Sequence, residues 1–230
     1  SLVTGRAAHE LEDLANHGGI FHGKFRAFVD GLSVGGYHVG YSGKGWAPGI
    51  YEGHGRVQSP TGPRYRDFTT FLAARSKRQP FFFWFGSMHT ALHQWRPGVG
   101  SRGRIDPARV RVPAYLPDVP AVREEIAKYL AAAEIMDAAF GEAVALLEQR
   151  GELENTIFVI TSDNGPEPSD PVHEAWMDIW MALNGYSWNL EGMGERGSLG
   201  FIGPEWASAI SAPGSFYKFY ASDGGLRAPM

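Results

Sequence analysis

The chain is 230 residues long, enough for one large α/β domain or two small ones, and its 43% hydrophobic and 20% charged residues exclude a disordered chain. Lys and Arg number 21 against 25 Asp and Glu, a formal charge of −4 that argues against a nucleic-acid-binding domain; the basic residues of 102–111 form only a local patch. There is no cysteine, so disulfides, thiolate metal sites and cysteine catalysis are excluded within these residues, and no apolar run approaches the ~20 residues of a membrane helix.

In chain order, Ala7–Asn16 reads as a short helix with Leu11 and Leu14 on one face, closed by His17-Gly18-Gly19. Phe25, Phe28, Val29 and Leu32 form a second helical stripe that ends at Gly35-Gly36. Tyr37–Tyr41 alternates like a strand and runs into the turn Ser42-Gly43-Lys44-Gly45. Asp67 is placed to cap a helix through Arg75 that buries Phe68, Phe71 and Leu72. Phe81–Phe85 is apolar throughout, as in a strand covered on both faces.

Residues 96–120, rich in Gly, Pro and Arg, read as a long loop. Ala121–Arg150 carries the clearest helical stripe, with Val122, Ile126, Tyr129, Ala133, Met136, Phe140, Val144 and Leu147 three or four apart. Gly151 stops it, and Thr156–Ile160 reads as a second buried strand ending in Thr161-Ser162-Asp163-Asn164-Gly165. Beyond Pro166 the chain reads as loop-rich, with one helix around Val172–Leu183. Strand, helix and strand alternate, which is the pattern of an α/β fold: a mostly parallel central sheet with helices on both faces. In such sheets ligands bind beyond the carboxyl ends of the strands, here Ser42–Lys44, Ser87–His93 and Ser162–Asn164.

Three of these ends carry chemistry. Asp163 and Asn164 offer hard oxygen donors suited to Ca²⁺ or Mg²⁺, and the same tripeptide equally forms an Asx turn. Lys44, between two glycines, can reach an anion or stand solvated; the segment is not a P-loop, because Trp46 follows Gly45. His89 and His93 have the spacing of a helical zinc pair, but Thr90 stands where such pairs carry a glutamate, so one general acid and one structural histidine fit as well. Lys218, inside Phe216-Tyr217-Lys218-Phe219-Tyr220, is by itself an amphipathic lysine among aromatics. Trp176, Trp180, Tyr186 and Trp188 can stack on sugar rings or simply pack.

Together the segments resemble the sulfatase family of the alkaline phosphatase superfamily, in its arylsulfatase and heparan-sulfatase-like branches. Ser1–Arg6 is similar to the residues just after that family's Cys-x-Pro-Ser-Arg nucleophile motif, and Gly36–Lys44 to its second signature. Pro80–Phe85 with His93 resembles the apolar strand and active-site histidine, Thr161–Gly165 the metal-binding turn, and 203–229 the segment with a second catalytic lysine. The resemblance implies hydrolysis of an aryl or carbohydrate sulfate ester by a formylglycine nucleophile. Asp163 and Asn164 would bind one Ca²⁺, Lys44 and Lys218 would hold the sulfate oxygens, and His93 would contact the sulfate or protonate the leaving alcohol.

His89 is the alternative to His93, and the histidine that often follows the family's Gly-Lys is replaced by Gly45-Trp46-Ala47-Pro48. The nucleophile motif is not among these residues, nor is the first strand with its metal-binding aspartates. Residues 1–230 are therefore expected to be a partial catalytic domain, truncated at both ends, lacking a C-terminal subdomain and inactive alone. The resemblance further implies a periplasmic or otherwise extracytoplasmic protein, and the charge balance gives no reason to expect a nucleic-acid partner. Alternative activities are a phosphoesterase or phosphonate monoester hydrolase of the same superfamily, and a non-catalytic sulfated-glycan binder.

Overall fold

The computed structural model describes residues 2–15, 18–46, 49–87, 105–168, 175–187, 197 and 203–226. The chain divides into two compact units, Ser1–Met88 and His89–Met230, each described by itself.

In the first unit β1 (His38–Gly43) pairs in parallel with β2 (Phe81–Gly86), His38 opposite Phe81 and Gly43 opposite Gly86. Alternation sends Phe81 and Phe83 to one side of the sheet and Phe82 to the other. Phe82 meets Phe28 of α1 (Phe28–Val34) edge to face, with ring centroids 5.0 Å apart. On the opposite side Phe83 lies 4.7 Å and Phe81 5.9 Å from Phe71 of α2 (Phe68–Ala74). One strand of five aromatic residues thus brings helices to both faces, as the sequence leads one to expect.

Phe71 is wholly buried and also packs on His38, 4.5 Å away, and Tyr65, 5.2 Å away. Burial among these rings lowers the pKa of His38, which favours its neutral form. The long segment between α1 and α2 is tied down by Arg56, whose guanidinium grips Asp30 at 2.6 and 2.9 Å. Burial pushes the Asp30 carboxyl up, but Arg56 and the Ala27 N–H outweigh it and hold it below the usual carboxylate range. The expected first helix is instead two 3₁₀ turns, Ala8–Glu10 and Glu12–Ala15. Leu11 and Leu14 still reach the core with Phe21 and Phe25, so the apolar spacing is met by tighter turns than an α-helix uses.

Asp67 caps α2 as its position predicts, accepting from the Thr70 N–H at 2.7 Å and the Thr70 hydroxyl at 2.6 Å. These bonds, with Arg66, hold its pKa down to about 2 from 3.8. Its side chain is 42% exposed, so solvent screening keeps the cap worth about 1 kcal/mol. Because the folded-state pKa is the lower one, that contribution is complete above roughly pH 4 and fades as the pH falls through about 2. Asp67→Ala is expected to lower urea stability by about 1 kcal/mol at pH 7, with the gap to the parent closing across that acid window. Parallel urea titrations at pH 7 and pH 2 measure both.

The second unit is built on α3 (Pro120–Gln149), about 45 Å long. Every residue of its expected stripe is buried or half-buried. Ile126 and Ala127 close a small core with Val110, against which Trp206 of α5 (Gly203–Ser211) packs. Neither α5 nor the one-turn α6 (Asp223–Leu226) is expected from a stretch that reads as loop; α4 (Ala175–Leu183) is. Residues 105–119 of the expected loop hold only the 3₁₀ turn Pro107–Arg109, and Arg123 pins it by pairing with Asp118 and donating to the Val110 carbonyl at 2.8 Å.

Thr156–Ile160 differs from expectation. It forms no strand in the structure, and Ile157, Val159 and Ile160 are 91%, 69% and 66% exposed. Phe158 is 39% exposed and meets Phe140 of α3 edge to face, with ring centroids 5.2 Å apart. A strand is defined by the neighbour that takes its N–H and C=O groups, and apolar composition does not supply that neighbour. No helix among the described residues is long and apolar enough to cross a membrane.

Candidate functional site

The carboxyl ends of β1 and β2 are sewn together by backbone. The Lys44 N–H donates to the Gly86 carbonyl at 2.8 Å, and the Trp84 indole donates to the Lys44 carbonyl at 3.1 Å. Gly43 has φ +71, and a methyl group on either Gly43 or Gly86 would overlap the opposite chain. Only glycine permits this approach, which fixes the Lys44 backbone at the carboxyl edge of the sheet. The segment leaving β2 leads to His89 and His93, both outside the described residues.

The second unit brings two distant stretches together. Residues 163–165 form a bend, with the Ser162 hydroxyl donating to the Asn164 carbonyl at 2.8 Å. Gly165 N–H donates to the Gly225 carbonyl at 3.0 Å, and Lys218 N–H to the Pro166 carbonyl at 3.0 Å. Glycine is again the enabling residue: a Cβ at 165 would overlap the Gly224 carbonyl, and one at 224 the Phe216 carbonyl. So the Asp163-Asn164 bend and the Lys218 loop share one hydrogen-bonded framework, although more than fifty residues separate them in sequence.

The side chains of that framework are accessible. Lys218 Nζ lies 2.9 Å from the Glu167 carboxylate, with both side chains about a third exposed. The Asn164 amide nitrogen donates to the Gly165 carbonyl at 2.7 Å, which turns the amide oxygen the other way. That oxygen and the exposed Asp163 carboxylate are hard donors. Oxygen donors of this type suit a Ca²⁺ or Mg²⁺ ion, which takes about six to eight ligands in all.

The structure thus joins Asp163, Asn164 and Lys218 in the second unit and sets Lys44 at the sheet edge of the first. Glu167 escapes sequence reading, because a glutamate beside two prolines has no spacing signal; only the fold reveals its partner. Among the described residues a group of Glu12, Asp13 and His22 also collects ligand atoms within 4.8 Å of one another. Its carboxylates are already engaged, Glu12 with Lys24 at 2.5 Å and Asp13 with the Ile20 N–H at 3.3 Å. Of the aromatic residues with sugar-stacking potential, Trp180 and Tyr186 stack on each other at 5.6 Å and 7°. Trp176 is 57% exposed, and Trp188 lies outside the described residues.

The chain is similar to several known proteins. It is 33% identical over 101 residues to an uncharacterized sulfatase of Schizosaccharomyces pombe, covering 44% of this chain and 18% of that protein. An arylsulfatase of Klebsiella aerogenes is 25% identical over 196 residues, 70% of this chain and 42% of the relative. N-sulphoglucosamine sulphohydrolase of Homo sapiens is 36% identical over 127 residues, 46% of this chain and 25% of the relative. The chain spans less than half the length of each. The Sulfatase family model matches residues 57–230, which takes in the bend at Asp163 and the Lys218 loop but not the Lys44 turn. With that match over about three quarters of its length, the chain belongs to the sulfatase family.

Proposed function

We propose that the protein hydrolyses sulfate esters, of an aryl alcohol or a carbohydrate, with Asp163, Asn164, Lys44, Lys218 and His93 in its active site. The observation that carries this reading is the joining of the Asp163-Asn164 bend to the Lys218 loop through the Gly165–Gly225 and Lys218–Pro166 hydrogen bonds. It sets oxygen donors and an ammonium group on one framework, in a chain of a family whose named relatives include an arylsulfatase and a sulphoglucosamine sulphohydrolase.

Asp163 and Asn164 would hold a Ca²⁺ ion, which would supply positive charge for the sulfate oxygens and the nucleophile. Lys218 and Lys44 donate to those oxygens, where negative charge persists through sulfuryl transfer and fixed donors lower its energy. His93 protonates the departing alcohol or holds the sulfate, and His89 is the alternative for that place. The nucleophile, a formylglycine by resemblance, lies outside these residues, since no Cys-x-Pro-Ser-Arg occurs among them. Residues 1–230 alone are therefore expected to show no turnover.

The test is a paired assay of the full-length protein on 4-nitrophenyl sulfate and 4-nitrophenyl phosphate, with calcium and after chelation. Faster sulfate than phosphate hydrolysis, lost with chelator and restored by Ca²⁺, is the expected result. Preferential phosphate hydrolysis transfers the assignment to a phosphoesterase. Binding of a sulfated glycan without turnover of either ester reduces the protein to a binder.

A further inference from the structure

Lys218 reaches its place with unusual restraint for a lysine that is 34% exposed. Its N–H is bound to Pro166, its ammonium sits 5.3 Å from the Phe219 ring centroid, and Nζ meets the Glu167 carboxylate at 2.9 Å. The flanking Phe216 and Phe219 have φ of 60 and 79, a left-handed backbone that aromatic residues seldom adopt. Glu167 follows the Asp163-Asn164 bend by only a few residues, so the carboxylate that meets the lysine lies close in sequence to the bend. A lysine on a four-carbon stem otherwise samples many rotamers. Here one carboxylate selects among them.

We propose that Glu167 is a positioning residue that sets the Lys218 ammonium for the sulfate group; this rests on the sulfate-ester reading above. An ammonium has three N–H donors. One goes to Glu167, which leaves two, as far as the described residues go, for oxygens of a tetrahedral anion. The carboxylate has a second, opposite effect, because it repels the same anion. It therefore aids the transition state by orienting Lys218 and disfavours simple anion binding. A merely structural ion pair has no such split signature: its loss leaves turnover and binding alone or weakens both together.

The experiment measures kcat for 4-nitrophenyl sulfate and calorimetric binding of inorganic sulfate on the full-length protein, as parent, Glu167→Gln and Glu167→Asp. Glu167→Gln is expected to lower kcat by about tenfold, through loss of orientation, while sulfate binds about threefold more tightly through loss of repulsion. Glu167→Asp is expected to recover part of kcat. A kcat within about twofold of the parent, or sulfate binding that weakens in step with kcat, overturns the proposal. Failure of the underlying reading is seen separately, in a parent that neither hydrolyses the ester nor binds sulfate before any substitution is made.

Discussion

Replacing Lys218 with alanine in the full-length protein is expected to lower kcat for an aryl sulfate by about 10²- to 10³-fold, the usual effect of removing one preorganised donor from a transition-state anion. The fold should survive the change. Lys218 is partly exposed, and its side chain contacts Glu167 and the Phe219 ring, interactions of small stabilising value at a surface. The loss should fall on kcat more than on thermal stability, and kinetics beside a thermal melt separate the two. Lys218→Arg is a sharper probe, because it keeps the charge but changes the shape of the donor group. Recovery of less than a tenth of parent kcat would show that geometry matters beyond charge. An unchanged kcat in Lys218→Ala would remove Lys218 from the site.

Gly165→Ala is expected to damage the site with a single added methyl group. The new Cβ would overlap the Gly224 carbonyl oxygen, and it would lie 2.9 Å from that carbonyl carbon and 3.1 Å from Gly225 Cα. All three obstacles are backbone, so no side-chain rotation relieves them. The bend and the Lys218 loop must separate, straining the Gly165–Gly225 and Lys218–Pro166 hydrogen bonds that register them. Overpacking of this kind costs about 1–3 kcal/mol. A displacement of about 1 Å at reacting groups lowers turnover by about a hundredfold.

Hydrogen exchange should rise at 163–167 and 214–226 in Gly165→Ala and stay unchanged in α1 and β1. Gly141→Ala is the control. A Cβ there meets nothing within 4 Å, and in the interior of α3 alanine should stabilise by about 0.5–1 kcal/mol with kcat unaltered. Equal exchange in Gly165→Ala and the parent would mean that the two stretches do not depend on this contact.

The sequence by itself determined the elements whose signals are local. The Asp67 cap, the all-aromatic β2 and the long stripe of α3 are each encoded within a few neighbouring residues, and each appears as expected. The turns at Lys44 and Asp163 have local signals too: glycine beside Lys44 and the Asp-Asn-Gly bend are short patterns with definite backbone chemistry. Tertiary structure decided whatever depends on a distant partner. The 3₁₀ turns of 8–15 answer to the Phe21 and Phe25 core they must reach, and Thr156–Ile160 forms no strand because no neighbouring strand pairs with it among the described residues. The pairing of Glu167 with Lys218 is of the same kind, since an ion pair across fifty residues leaves no periodicity to read. Local sequence sets backbone preference, whereas a hydrogen bond or ion pair between remote segments exists only once the chain has closed the loop between them.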